Sequence, residues 1–152
     1  MYTFGRAMAV NQIHIINGPN LNLLGKREPD IYGSTTFDDF LRAVRKEYSD
    51  SITLGYFQSN IEGEIIDELQ RVGKHSTPIL LNAGGYTHTS VAIADAVAAI
   101  DSPVLEIHIS QPAAREEERH NSLLAKYCKG SISGLGLSSY KLGIEFFINH
   151  YE

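Results

Sequence analysis

The 152-residue sequence predicts an α/β domain, a five-stranded parallel sheet held between two layers of helices. Two observations predict it. Short apolar runs alternate five times with stretches of helical periodicity, and no internal repeat or low-complexity tract interrupts the order. One of those runs, Pro78-Ile79-Leu80-Leu81, is apolar without polar alternation, the pattern of a strand covered on both faces. Ligands of such sheets sit beyond the carboxyl ends of the strands, so the loops there are where function is sought.

Residues 13–16 form the first strand, and the loop that leaves it, residues 17–33, is long. Connections of this kind usually take about 2–6 residues. This one holds Lys26 and Arg27 beside Tyr32, three asparagines, and Gly or Pro at five positions that can serve as hinges of a lid. A cation beside Tyr32 favours the phenolate, and Arg27 is the better candidate because it cannot give up its charge. An ordered surface loop with the tyrosine lying flat on it is an equal reading of the stretch alone.

Thr35 or Thr36 then caps a first helix with Asp38 and Asp39 in its first turn and Phe37, Phe40, Leu41, Val44 and Tyr48 on its core face. Residues 52–57 read as the second strand. Ile61, Ile65, Leu69 and Val72 mark the inner face of a second helix, with Gly73 past its end. The third strand stops at Asn82, and residues 83–90 turn into a third helix, residues 91–100, apolar nearly all round except Asp95. A helix with no polar face needs cover on every side, so its outer face is expected against another subunit. Residues 104–109 make the fourth strand and residues 130–136 a Gly/Ser-rich fifth. A last helix, residues 138–150, turns Tyr140, Ile144, Phe147 and Ile148 inward.

The totals narrow the function classes. A formal charge of −5 and a pI near 5.6 argue against nucleic acid or an anionic membrane as partner. The single cysteine, Cys128, reads as a small hydrophobe; it excludes an internal disulfide and fits a reducing compartment. No apolar run is long enough to span a bilayer. Residues 1–10 read as a flexible extension and residues 11–152 as a single domain.

The sharpest constellation lies on the fourth strand, where alternation puts Glu106, His108 and Ser110 on one face and Leu105, Ile107 and Ile109 on the other. Glu106, two residues before His108, can reach the imidazole and fix its tautomer, which makes His108 a candidate general acid or base. Asn82 and the amides near residues 87–90 offer hydrogen bonds to an anion or polyol. His88 by itself reads as a helix-start residue. The run Arg115-Glu116-Glu117-Glu118-Arg119-His120 reads as a solvated helix face, although Arg119 is close enough to the strand to reach a carboxylate. The histidines lack tight ligand spacing for a metal, and there is no G-x-S-x-G elbow or Walker loop.

Four segments together carry a resemblance: I-N-G-P-N-L-N-L-L-G-x-R-E-P-x-x-Y-G at 16–33, F-Q-S-N-x-E-G at 57–63, L-N-A-G-G-Y-T-H-T-S-V-A at 81–92, and E-I-H-I-S at 106–110 followed by R-E-E-x-R-H at 115–120. In order and spacing the chain resembles the type II 3-dehydroquinate dehydratases. The resemblance implies a flavodoxin-like, doubly wound domain, a cytoplasmic lyase converting 3-dehydroquinate to 3-dehydroshikimate in the shikimate or quinate pathway without metal or organic cofactor. It also implies a homododecamer built from trimers. By the same resemblance Tyr32 is the base beside the ketone and Arg27 the cation that keeps it ionised. Asn20 helps hold the enolate oxygen through a water, and His108, oriented by Glu106, protonates the departing hydroxyl. Asn82, His88, Ile109, Ser110 and Arg119 match substrate-binding positions, and Asp95 matches one that reaches a neighbouring subunit's site. The chain departs from the family pattern at Gln111-Pro112, Glu118, Asn121 and Ala94, where an aromatic at 118 and an arginine at 94 are frequent.

A lysine-imine route to the same product is disfavoured, because none of the six lysines sits in a strand-end motif. A flavodoxin-like signalling module is the rival from another class. It would want acids at the ends of the first and third strands, where this chain has Asn17 and Asn82, and a flavin carrier would want a Thr/Ser-rich phosphate loop.

Overall fold

The computed structural model describes residues 10–26, 30 and 34–151. Its five strands are β1 (Gln12–Asn17), β2 (Thr53–Gln58), β3 (Ile79–Asn82), β4 (Val104–Ile107) and β5 (Gly130–Ile132). They pair in parallel throughout in the order β2-β1-β3-β4-β5, the doubly wound order of flavodoxin-like folds. Among the described residues, α1 (Phe37–Glu47), α2 (Glu62–Gly73) and α3 (Val91–Ala99) cross between successive strands from β1 to β4, three short 3-10 turns lie between β4 and β5, and α4 (Ser138–Asn149) follows β5.

The sheet separates two cores, as the strand alternation requires. Ile13 and Ile15 of β1, Leu80 of β3, and Leu105 and Ile107 of β4 face α1 and α4. Ile16, Ile79, Leu81 and Val104 face α2 and α3. Local chemistry starts the helices where the sequence places them. The Thr36 hydroxyl accepts the Asp39 amide at 3.2 Å to cap α1, and Ser90 accepts the Ile93 amide at 2.9 Å to cap α3. Phe37, Phe40, Leu41, Val44 and Tyr48 are all buried, as their spacing predicts.

Several expectations are corrected. Ile61 is the residue before α2 and is 58% exposed, so the core face of that helix begins at Ile65. Gly73 lies inside α2 rather than past its end. A Cβ there would stand 2.5 Å from Ile100 Cγ2, so this glycine marks close helix packing and not a turn. The fifth strand ends at Ile132 because Gly134 and Gly136 take positive φ (83° and 61°) and bend the chain back. Their amides donate to the Ser110 and Ile109 carbonyls beyond the end of β4. The charged run at 115–120 forms no α-helix. It folds as short 3-10 turns, and Glu116 lies 3.4 Å from both Arg115 and Arg119. α3 buries Ile93, Ala94, Ala96 and Val97 and leaves Val91, Ala92, Asp95, Ala98 and Ala99 exposed. Among the described residues no helix is long and apolar enough to cross a membrane.

Candidate active site

The carboxyl ends of the strands open onto a cavity of about 470 Å³. Asn20 comes from the loop after β1, Asn82 from the end of β3, His88 from the turn before α3, and His108, Ile109, Ser110 and Arg119 from the segment after β4. Seven of the sequence-predicted positions therefore line one space. Glu106 stands behind His108, and Asp95 lies on the exposed side of α3, away from this cavity. Arg27 and Tyr32 lie outside the described residues.

Strand alternation decides how Glu106 and His108 meet. The alternation of β4 carries one residue past its end, so both side chains leave the same face of the chain, and His108 Nε2 comes within 2.8 Å of Glu106 Oε1. The His108 amide continues the sheet ladder to the Ile132 carbonyl at 2.9 Å, so the ring sits on a backbone fixed just past the strand end. Glu106 is only 1% exposed. A buried carboxylate is costly unless each lone pair is satisfied, and here two serines add to the histidine. Ser122 Oγ donates to Oε1 at 2.8 Å and Ser131 Oγ to Oε2 at 3.1 Å. Burial works against the charged form, but the hydrogen bonds from His108, Ser122 and Ser131 outweigh it and hold Glu106 below the ordinary carboxylate range. The histidine is thus backed by a fixed anion.

His88 is more than the helix-start residue its position suggests. Its ring lies 6.2 Å from that of His108, tilted by only 21°. The Asn121 carbonyl, 2.7 Å from His88 Nδ1, can only accept, so Nδ1 carries the proton. This contact uses the backbone of Asn121, and the unusual side chain there does not enter it. Glu118 is exposed and does not line the cavity.

Asn60 is a site residue that sequence reasoning missed. Its side-chain oxygen accepts the Asn20 amide at 3.0 Å and Gln58 Nε2 at 3.2 Å, and its carbonyl accepts the Tyr86 hydroxyl at 3.1 Å. Asn20 needs that support, since it holds a left-handed backbone with φ of 70°. The N in F-Q-S-N was the available signal, but its partners are 26 and 40 residues away. Arg115 belongs to a run whose charges read as a solvated face, yet it lines the cavity with its side chain 19% exposed.

Chemically the rim offers asparagine amides, two histidines and two guanidiniums around a space of small-molecule size. That set suits a polyol acid and acid–base chemistry. Among the described residues no group of three or more His, Cys, Asp or Glu side chains is arranged to hold a metal ion. Known proteins resemble the chain in sequence and fold. Residues 11–148 match the family Dehydroquinase class II. A 3-dehydroquinate dehydratase of Bacillus licheniformis is 49% identical over 139 residues, covering 90% of this chain and 95% of that one. Another, of Maricaulis maris, is 52% identical over 136 residues, covering 87% and 91%. The type II dehydroquinase structure from Propionibacterium acnes has a TM-score of 0.88 at 36% identity and covers 93% of this chain and 99% of that one. With the match running through every strand and through the loops that meet at the cavity, the chain belongs to the class II dehydroquinase family.

Proposed function

We propose that this cavity dehydrates 3-dehydroquinate to 3-dehydroshikimate by a stepwise elimination through an enolate. The observation that carries the reading is His108 at the cavity wall, backed by a buried Glu106 that accepts three hydrogen bonds. Removing a proton beside a ketone requires a base, and expelling hydroxide requires an acid; each typically contributes about 10²–10⁴-fold. His108 is assigned as the acid. Glu106 stabilises the imidazolium before the proton leaves and fixes the ring's orientation.

Tyr32 is assigned as the base and Arg27 as the cation that keeps it ionised, on family resemblance. Asn20 serves the enolate oxygen. Asn82, His88, Ser110 with the Ile109 backbone, and Arg119 bind the hydroxyls and carboxylate. The exposed apolar stripe of α3 with Asp95 is assigned to a contact between subunits, as in a dodecamer built from four trimers, with Asp95 reaching a neighbour's site. The reaction belongs to a cytoplasmic shikimate or quinate route and calls for no cofactor.

The test uses purified protein, 3-dehydroquinate and two variants. His108→Ala should retain exchange of the proton beside the ketone but lose elimination, and Tyr32→Phe should lose both while still binding substrate. Loss of exchange in His108→Ala with elimination intact, or near-normal turnover in Tyr32→Phe, would overturn the assignment of roles.

A further inference from the structure

Tyr140 is wholly buried on α4, yet its hydroxyl is bonded to two residues at the floor of the site. It accepts from Asn82 Nδ2 at 2.8 Å and donates to Asn17 Oδ1 at 2.7 Å. Those asparagines end β3 and β1 and stand side by side in the sheet register. The directions of the bonds are forced. The Gly84 amide can only donate, and it lies 3.2 Å from Asn82 Oδ1, which turns Nδ2 of that side chain toward the phenol. The phenol's one proton is then committed to Asn17. Burial raises the Tyr140 pKa far above its ordinary value, against the pull of both asparagines, so that proton stays in place. Of the four hydrogen-bonding positions of the Asn82 amide, one Oδ1 lone pair and one Nδ2 hydrogen are occupied from within the protein.

We propose that Tyr140 is a positioning residue for the dehydration: by holding one Nδ2 hydrogen of Asn82 it presents the other as a fixed donor to an acceptor oxygen of the bound substrate. The proposal rests on the reading above, in which Asn82 binds substrate at the cavity wall. Without the hydroxyl, the Asn82 side chain keeps among the described residues only the longer bond from Gly84, and Asn17 Oδ1 loses its donor. The aromatic ring itself packs against Phe37 at 5.1 Å and Phe40 at 5.8 Å, contacts that a phenylalanine would keep.

The experiment compares wild type, Tyr140→Phe, Asn82→Ala and the double variant in steady-state dehydration of 3-dehydroquinate, with thermal unfolding of each. Tyr140→Phe should raise KM about tenfold, the equivalent of about 1.4 kcal/mol and one well-placed hydrogen bond, with kcat changed less than about threefold. In the Asn82→Ala background the same substitution should move KM less than about twofold. A lower melting temperature with KM unchanged, or the same KM increase in both backgrounds, would overturn the proposal. Should Tyr140→Phe fail to fold, Asn17→Ala carries the test, because it releases the phenol's proton toward Asn82. It should raise KM only when Asn82 is present, and an unchanged KM refutes the proposal. A wild type without dehydratase turnover removes the reading of the site altogether, whereas an active wild type with an unmoved variant removes this proposal alone.

Discussion

Replacing Glu106 with glutamine removes one charge from beneath the site while leaving its volume nearly unchanged. The carboxylate accepts from His108, Ser122 and Ser131, and it is almost completely buried. When the imidazole is protonated, its bond to a carboxylate is charge-assisted and contributes about 1.5–3 kcal/mol, against about 0.5–1.5 kcal/mol for a neutral acceptor. The amide oxygen of glutamine can still take the His108 proton, and a serine hydroxyl can turn to accept from the new NH₂. The loss therefore falls on the protonated acid, at about 1–2 kcal/mol, or roughly a 5- to 30-fold drop in the elimination rate. The assay pairs the ultraviolet absorbance of the enone product with deuterium exchange beside the ketone followed by NMR. Elimination should fall by that factor while exchange persists. Elimination at the wild-type rate, or equal loss of exchange, would refute the view that the anion acts through His108.

Two further predictions concern stability. Gly73→Ala should destabilise the fold by about 1–3 kcal/mol through overpacking, since the new methyl would meet Ile100 Cγ2 and Cβ at 2.5 and 2.6 Å, and helix propensity returns at most about 1 kcal/mol. Gly63→Ala in the same helix meets nothing within 4 Å and should stabilise; denaturant midpoints that rank the two the other way would contradict the packing argument. Buried His14 donates toward Glu68 at 2.7 Å, and Glu68 also receives Arg71. Burial lowers the His14 pKa below 6.5 despite Glu68, and the Arg71 hydrogen bond, against burial, lowers that of Glu68 below 4.5. In both cases the unfolded chain binds the proton more readily, so stability should fall as pH drops below about 6.5, and further as the carboxylate is titrated. Melting temperatures of His14→Gln against wild type between pH 7 and 5 test this: the variant should lose the upper part of the slope, and an unchanged slope would exclude His14 as its source.

By itself the sequence determined whatever depends on near neighbours. The alternation of strand and helix, the Thr36 cap, the core face of α1 and the meeting of Glu106 with His108 all follow from spacings of two to four residues, where backbone periodicity sets the geometry. Where local signals failed, a distant contact had overridden them: Gly73 is small because Ile100 presses on it, and the 115–120 run gives up helical pairing to put two arginines at the cavity. Only the tertiary structure decided that Ser122 and Ser131 satisfy Glu106, that Asn60 props Asn20, and that Tyr140 joins Asn17 to Asn82 across 123 and 58 residues of chain. A parallel sheet makes this unavoidable, because strands successive in the chain are joined by a long crossover. The groups that gather at its carboxyl end come from separate crossovers, and no local spacing records that they meet.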